Sequence, residues 1–401
     1  MSRCCSRLRV FLVLTVAALA PVTIVPAAGS DLALEDVWSE GPVTQAVLDS
    51  IEDAVSDALR GRPIPGLMVG FEVGGVARGI LSFGSSDLET QTPMQAGDSL
   101  YIGSSTKMFT ATAILQLAAQ GLVDLDDPIS MYLDDIPGTW RGVTIRHLLE
   151  HTSGIPSYIG TEEGQALRWT SEPISYETVL EIMAHQPIDF PPGTDWNYTN
   201  SNFYLLGHIV ESVSELGYGE YLDTHIFNPL GMYRSGYDTS SRPSRLVTAY
   251  RRDDVPTAQF EVYPRPNVSL LHGAGGIDST MEDVLRWLDG WSAEEVLSKA
   301  SLDSMVTPRN IADLPLGDKY GMGCMIWDAR WTGLPLHVGH FGMIHGNLCL
   351  PWVFPEEGVS LVLYSNSYDL LDVLMEGKLG SPNALHRKLA EILIDFAEAT
   401  P

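Results

Sequence analysis

Strand-like segments lie near both ends of this chain, and a long helical stretch separates them. Runs 66–73 and 76–83 are joined by Gly74 and Gly75, which predicts a β-hairpin. Further strand-like runs return only late in the chain, at residues 320–327, 336–341, 347–354 and 359–364. The sequence therefore predicts a sheet assembled from segments that are far apart in the chain.

Helical periodicity predicts the elements that flank and interrupt this sheet. Apolar residues recur every four positions from residue 44 to about 61, and again over 385–396. Helical patterns and Pro/Gly turns dominate residues 122–270. We expect an α+β fold, in which an antiparallel sheet is flanked by N- and C-terminal helices and carries an inserted, mainly helical domain.

Domain boundaries follow from the same pattern. Residues 1–29 are predicted to be a signal peptide and residues 30–43 a linker. Residues 44–121 and 271–401 would form the α/β sheet domain, and residues 122–270 the inserted helical domain. A chain of 401 residues is long enough to bury a large core in such an arrangement.

The first residues have the pattern of an export signal. Arginines precede an apolar run over 10–20, and small residues at 27–29 offer a cleavage site. Cleavage would leave a periplasmic or secreted protein without a stable membrane span. The alternative is an N-terminal membrane anchor, but Pro21 and Pro26 interrupt the run, which is short for a spanning helix.

The charge of the chain limits its partners. The formal net charge is −27, and it becomes −30 after cleavage, because the signal segment holds three arginines and no acid. Such a surface repels nucleic acid and anionic lipid headgroups, so we expect neither as a partner. Lysine is scarce, and the acidic surface is compatible either with a salty habitat or simply with solubility.

Two cysteines remain after cleavage, Cys324 and Cys349. Both lie in strand-like segments, and an exported pair can form a disulfide. The sequence gives no distance between them, so the disulfide and two free thiols are equally compatible with it.

Ser104 and Lys107 lie at the start of a predicted helix. The apolar run Met108, Ala111 and Ile114 follows, and Gly121 ends it. Lys107 is therefore one turn from Ser104 on the same face, where an amine with a lowered pKa can take the serine proton. The alternative is that Ser104 only caps the helix and Lys107 is a solvated charge.

Tyr198 and Asn200 follow a cluster of turn-forming residues and precede the apolar-periodic run that begins at Phe203. We expect both on a loop just before a helix. A phenol near the amine could move a proton between nucleophile, lysine and leaving group. The alternative is an ordinary surface loop.

His340 and Gly342 lie in a glycine-rich strand and turn. Glycines in a strand permit close approach of another backbone or a ligand. A substrate carbonyl lying along this strand would meet backbone N–H groups that stabilise its oxyanion. The alternative is an ordinary core strand with glycines at its bends.

Together, Ser104-x-x-Lys107, Tyr198-x-Asn200 and His340-x-Gly342 resemble the three active-site motifs of the serine β-lactamase-related superfamily. The branch is that of class C β-lactamases, D-alanyl-D-alanine carboxypeptidases and β-lactamase-like esterases. The segments 144–156, 206–211, 228–232 and 274–280 also resemble family sequences. The resemblance covers roughly residues 45–395 and implies a β-lactamase/transpeptidase-like fold.

The resemblance also implies roles for individual residues. Ser104 would be acylated, with Lys107 and Tyr198 as the general-base system. Asn200 would orient Lys107 and the substrate amide, and the N–H groups of Ser104 and Met343 would form the oxyanion hole. His340 would hold a substrate carboxylate or tune Tyr198, and Gly342 belongs to the same motif.

Phe341 departs from the lactamase pattern, in which a threonine usually binds the β-lactam carboxylate. This difference favours an esterase, amidase or peptidase, and whether β-lactams are hydrolysed or only bound stays open. The expected partner is a small molecule or peptide with an ester or amide bond. No metal or organic cofactor is expected, and the oligomeric state is not readable from the sequence.

Two other functions fit parts of the sequence. His147 and His151 match the H-x-x-E-H pattern of one group of zinc peptidases, in which two histidines on a helix bind the metal. A non-catalytic penicillin-binding or regulatory protein on the same fold is the second alternative. All three motifs retain their reactive groups, which favours the hydrolase.

Overall fold

The computed structural model describes residues 24–26, 32–237, 246–252, 259–309, 319–375 and 384–400. The strands are β1 Ile24–Pro26, β2 Leu34–Glu40, β3 Gly66–Val73, β4 Ala77–Asp87, β5 Thr92–Pro93, β6 Ser99–Tyr101, β7 Gly236–Tyr237, β8 Tyr250–Arg251, β9 Gln259–Val262, β10 Ile277–Thr280, β11 Lys319–Tyr320, β12 Met325–Trp327, β13 His337–Gly339, β14 Gly342–Ile344, β15 Asn347–Phe354 and β16 Val359–Ser365.

The α-helices are α1 Gln45–Leu59, α2 Thr106–Ala119, α3 Ile145–Leu149, α4 Glu162–Leu167, α5 Tyr176–Ala184, α6 Asn200–Ser214, α7 Tyr218–Leu222, α8 Val268–Leu271, α9 Met281–Ser292, α10 Lys299–Met305, α11 Ala329–Thr332, α12 Asp369–Met375 and α13 Leu385–Ala399. Within the described residues, no helix is long and apolar enough to span a membrane.

A large antiparallel sheet forms the centre of the fold. Its strand order is β11-β12-β13-β15-β16-β3-β4-β2, with β14 added to β15 and β5 added to β4. The two ends of the chain meet where β16 pairs with β3, from Val359 opposite Val73 to Ser365 opposite Leu67. The predicted antiparallel sheet of sequence-distant strands is therefore confirmed.

The terminal helices cover one face of this sheet. The apolar residues of α1 and α13 pack together with side chains of β3 and β16 in a single buried cluster. Thr44 caps α1 by accepting a hydrogen bond from the Val47 backbone N–H. On the other face, α9 packs so closely that a Cβ at Gly70 would lie 2.6 Å from the Met281 sulfur. The predicted flanking helices are confirmed.

Each strand of the large sheet lies outside residues 122–270. In the described part of that stretch lie the α-helices α3 to α7 and most of α8, together with short strands that belong to small three-stranded sheets. The division into a sheet domain and an inserted helical domain stays a prediction.

The predicted linker over 30–43 is wrong for residues 34–40, which form the edge strand β2 against β4. Leu34, Asp36 and Trp38 are the more buried positions of β2, and the Asp36 carboxylate accepts a hydrogen bond from the Ala96 N–H. An acid on the inward face hides the apolar alternation by which a strand is recognised. Of the predicted signal peptide, only residues 24–26 are described, and they pair with β9; residues 1–23 and 27–29 lie outside the described ranges.

Helix α2 differs from the sequence-based expectation of a single apolar face. Eleven of its residues are buried, including Thr106, Lys107, Thr110 and Thr112. The helix is central, and the side chains of Thr106, Lys107 and Thr110 have hydrogen-bond partners in the interior: Thr110, for example, donates to the Gly273 carbonyl at 2.7 Å. The pattern could not show this, because threonine and lysine are not read as buried residues.

The thiols of Cys324 and Cys349 are free and buried in this structure. Cys324 Sγ lies 3.3 Å from the Met305 carbonyl oxygen, and burial raises the pKa of each thiol to about 12. Neither is a reactive thiolate at neutral pH.

Candidate active site

Ser104 lies on a tight turn that leads into α2. The turn spans Gly103–Ser105, and Gly103 has the positive φ of 53° that glycine adopts without strain. The adjacent strand β14 packs directly against this turn: a Cβ at Gly342 would lie 1.8 Å from the Ile102 carbonyl oxygen and 3.0 Å from Ser104 N. Only glycine fits at position 342. Strand β14, which carries the third motif, can therefore lie directly against the Ser104 turn, which carries the first motif.

Lys107 is the centre of the polar contacts around Ser104. Its Nζ lies 3.1 Å from Ser104 Oγ, 2.7 Å from Asn200 Oδ1 and 2.7 Å from the Ala274 carbonyl oxygen. The side chain is fully buried, and among the described residues it forms no ion pair with a carboxylate. Burial alone therefore lowers the pKa of Lys107 well below its usual value.

The arrangement suits a neutral amine that acts as a base. A neutral amine has two N–H donors and one lone pair. Asn200 Oδ1 and the Ala274 carbonyl can only accept, so they take the two donors. The lone pair is then left for the hydroxyl of Ser104, which is the group that a nucleophile must deprotonate.

Tyr198 is adjacent to the same amine. Lys107 Nζ lies 4.9 Å from the centre of the Tyr198 ring, and the tyrosine hydroxyl interacts with the hydroxyl of Ser104. Burial raises the pKa of Tyr198, so the phenol stays protonated at neutral pH and is available as a proton donor. Tyr198 lies on the predicted loop, which ends at Thr199, the cap of α6. Asn200 was expected on the same loop, but it is the first residue of the helix, because the Thr199 side chain caps α6 one residue earlier.

His340 lies behind Tyr198 and is fully buried, with ring centres 5.9 Å apart. Its Nδ1 donates to the Phe341 carbonyl at 2.8 Å, and its Nε2 accepts from the Tyr320 hydroxyl at 3.1 Å. Burial, together with the positive charge that Lys107 carries when it is protonated, lowers the pKa of His340 to about 3. A neutral, fully bonded ring has no donor left for a substrate carboxylate, so the geometry favours the other predicted role, tuning of Tyr198.

Tyr320 extends this contact into a buried network. His151 Nε2 lies 3.2 Å from the Tyr320 hydroxyl, and His151 Nδ1 lies 3.0 Å from Asn202 Nδ2. Because the amide donates to Nδ1, Nε2 carries the proton and donates to Tyr320, which in turn donates to His340. Asn202 Oδ1 accepts from Ser153 Oγ at 2.6 Å. The network fixes one tautomer of each histidine.

The zinc-peptidase alternative is not supported by the positions of His147 and His151. Helix α3 ends at Leu149, and His151 has a positive φ of 58°, so the two rings do not share a helical face. His147 Nδ1 accepts from Thr144 N in a capping box, and His151 belongs to the network above. The segment that matches the H-x-x-E-H pattern therefore forms a helix end and a turn, and both histidines have structural roles there.

Another cluster of ionisable residues consists of His208, Glu211 and His272, whose ligand atoms lie within 4.8 Å of one another. Glu211 accepts from both imidazoles, at 2.7 Å and 3.4 Å. The two rings are stacked 4.1 Å apart at 14°, so their in-plane nitrogen lone pairs do not converge on one point. The geometry fits a carboxylate held between two imidazoles better than a metal ion.

The site contains two groups that the sequence analysis did not assign. The Ala274 carbonyl lies in the segment 274–280, which resembles family sequences, but a backbone acceptor leaves no signal in the sequence. Tyr320 is the first residue of the strand-like run 320–327, and no motif surrounds it. Met343, by contrast, was predicted, and it lines a cavity together with Asn200.

Comparison with known proteins agrees with this fold. The sequence matches the beta-lactamase family over residues 51–375. It is 28% identical over 299 residues to penicillin-binding protein 4* of Bacillus subtilis, covering 71% of this chain and 64% of that protein. It is 32% identical over 303 residues to the putative penicillin-binding protein PbpX of Bacillus subtilis, covering 75% of this chain and 69% of that protein.

Solved structures of other proteins have the same fold. A D-stereospecific amidohydrolase from Streptomyces sp. is 29% identical, with a TM-score of 0.68 over 85% of this chain and 100% of that one. The D-amino acid amidase from Ochrobactrum anthropi SV3 is 21% identical, with a TM-score of 0.75 over 88% and 100% of the chains, and shows the fold alone.

The fold and the site define a protein of the β-lactamase/transpeptidase type. The chain belongs to the beta-lactamase family, whose match spans most of its length. The chain spans just under two thirds of penicillin-binding protein 4*, so the activity and partners of that whole protein do not transfer with the family.

Proposed function

We propose that this protein is a serine hydrolase that cleaves an ester or amide through an acyl-enzyme on Ser104. The observation that carries the proposal is the set of contacts at Lys107, a buried amine whose two acceptor partners leave its lone pair for Ser104 Oγ at 3.1 Å. No metal or organic cofactor takes part.

The proposed mechanism has two halves. Lys107, neutral, accepts the proton of Ser104 as Oγ attacks the substrate carbonyl. The backbone N–H groups of Ser104 and Met343 stabilise the oxyanion, and the proton passes through Lys107 and Tyr198 to the leaving group. Water then attacks the acyl-enzyme with the same groups as base, which releases the acid and restores Ser104.

The proposed substrates are esters and amides, including amides of D-amino acids. The support is the 29% identity to a D-stereospecific amidohydrolase over the whole of that protein. Phe341, partly exposed at the start of the third motif, favours a more apolar ligand than the carboxylate-binding threonine of lactamases. We therefore propose that β-lactam hydrolysis is weak. We also propose export by the signal segment, with the protein working in the periplasm or outside the cell.

A direct assay tests the proposal. Ester hydrolysis is followed with p-nitrophenyl acetate, and ammonia release with D- and L-phenylalaninamide. The wild type should turn over the ester and prefer the D-amide, and Ser104→Ala should lose both activities. Ser50→Ala, a serine exposed on α1, is the matched control and should retain both. Full activity of Ser104→Ala would contradict the proposal.

A further inference from the structure

A cavity of about 210 Å³ lies beside the proposed nucleophile. Its lining includes Asn200, the partner of Lys107, and Met343, which neighbours the Ser104 turn. Arg168, Tyr263 and Tyr368 line the same cavity. A substrate held by Asn200 and the strand β14 would extend into this space.

The lining of this cavity differs in charge from the rest of the molecule. A second cavity of about 180 Å³ shares Tyr263, Pro266 and His345 with the first and contains Arg265. Neither cavity is lined by an aspartate or glutamate from the described residues, although the chain carries a net charge of −27. The region is therefore a locally positive recess in an acidic protein.

Arg168 is the charged side chain of the first cavity. The structure gives it no carboxylate partner among the described residues, whereas most of the described arginines have one. Arginines that do pair with an acid are Arg60, Arg78, Arg146, Arg251, Arg252, Arg286, Arg330 and Arg387. Removing a partly buried guanidinium from water without a partner costs free energy, which a bound anion would offset.

The neighbouring residue fixes the position of Arg168. Trp169 packs on His345 and Tyr263, with ring-centre distances of 4.9 Å and 5.9 Å. Arg168 itself follows the last residue of α4. Arg168 therefore lies between the end of a helix and a packed tryptophan, and it lines the cavity.

We propose that Arg168 binds a carboxylate of the substrate, so that the enzyme prefers esters or amides that carry one negative charge. This inference rests on the proposed hydrolase function and specifies its substrate class. The guanidinium offers two parallel N–H donors to a carboxylate. One positive charge balances one carboxylate, whereas a phosphate monoester would leave a charge unpaired in a partly buried recess. The acidic surface elsewhere repels anions, whereas this recess attracts them.

The carboxylate could belong to the acyl half or to the leaving half of the substrate, and matched substrates distinguish the two. The first pair is mono-p-nitrophenyl glutarate and its neutral carboxamide, p-nitrophenyl glutaramate. The second pair is N-acetyl-D-phenylalanyl-D-lactate and its neutral lactamide. Each pair differs only in the charge of one end, so the ratio of kcat/KM values within a pair measures recognition of the carboxylate.

The variants are Arg168→Gln, Arg168→Lys and Arg141→Gln. Arg141→Gln removes the same charge from an exposed position outside the cavity and is the matched control. In one pair, the wild type should prefer the carboxylate at least roughly tenfold, as expected for a charge-assisted hydrogen bond. Arg168→Gln should abolish the preference, mainly through KM, with the neutral substrate unaffected. Arg168→Lys should keep part of the preference for the carboxylate substrate, and Arg141→Gln should keep all of it.

The outcomes separate this inference from the proposed function. Suppose that the neutral esters are hydrolysed in a Ser104-dependent way, but neither pair shows a preference for the carboxylate. This result overturns the role of Arg168 and leaves the proposed hydrolase function intact. An equal preference in wild type and Arg168→Gln also overturns it. If no ester is hydrolysed, the proposed function itself fails, and the substrate preference fails with it.

Discussion

Lys107 Nζ lies 3.1 Å from Ser104 Oγ at a fully buried position. The two residues are one helical turn apart, so the sequence alone brings them together. Burial determines what the contact does, because an amine surrounded by protein loses the hydration that stabilises its charged form. A solvated lysine at the same distance would remain an ammonium ion and could not accept the serine proton at neutral pH.

This relationship predicts the pH dependence of the reaction. Lys107 is active when neutral, so kcat/KM should fall on the acidic side as Lys107 is protonated. Because its pKa is lowered well below 10.5, the wild type should stay active at neutral pH. Lys107→Ala should lose at least roughly 10²-fold in rate, the scale of general-base catalysis, and its residual activity should lack this pH limb.

The measurement is a pH–rate profile of kcat/KM with a neutral ester, and circular dichroism shows whether Lys107→Ala is folded. Lys299→Ala removes an exposed lysine and is the control, expected to leave the profile unchanged. A profile whose acidic limb has its midpoint near 10.5 would contradict a buried neutral amine.

The hydrogen bonds that join His151, Tyr320 and His340 next to Tyr198 predict a second result. Tyr320→Phe removes a hydroxyl that contacts both His151 Nε2 and His340 Nε2, and leaves these ring nitrogens buried without that partner. The free energy of unfolding should fall by about 1–3 kcal/mol, the cost of unsatisfied buried polar groups. Because His340 packs against Tyr198, kcat should fall as well, with KM less affected.

Chemical denaturation and steady-state kinetics check both parts of this prediction. Tyr233→Phe is the control, since Tyr233 is 76% exposed. Unchanged stability and unchanged kcat in Tyr320→Phe would show that the histidines do not depend on this hydroxyl.

The contact between β14 and the Ser104 turn predicts a third result. In Gly342→Ala the new methyl group would meet the Ile102 carbonyl at 1.8 Å, so the strand and the turn must move apart. A displacement of this kind, near 1 Å, costs roughly 10²-fold in rate when it separates catalytic groups. We expect kcat of Gly342→Ala to fall on this scale.

Gly138→Ala is the control for this substitution, because a Cβ there meets no atom within 4 Å. Both variants are compared by kcat with a p-nitrophenyl ester and by thermal unfolding. A Gly342→Ala variant with wild-type kcat would show that the close approach is not needed for catalysis.

The large sheet and the core of the site were predictable because their signals are local. The hairpin Gly66–Val73 to Ala77–Asp87, the terminal helices and the turn at Ser104 each follow from a few neighbouring residues. The three motifs resemble those of a known family, and the structure brings Ser104, Lys107, Tyr198 and Asn200 into contact as that resemblance implies.

Features that depend on contacts between distant segments were not predictable. Strand β2 was missed because its inward face carries Asp36, whose partner lies at Ala96. Tyr320 joins His151 to His340 only in the folded protein, since these residues are far apart in the sequence. The burial of Lys107 likewise comes from segments around Asn200 and Ala274, so the sequence gives the amine but not its protonation state.

The acylation of Ser104 tests the account most directly. The protein is mixed with p-nitrophenyl butyrate, quenched in acid within the first turnovers, and its intact mass and peptide masses are measured. We expect the wild type to gain one butyryl group on the peptide that contains Ser104, and Ser104→Ala to gain none. A butyryl group on another residue, or ester turnover by Ser104→Ala at the wild-type rate, would contradict the account.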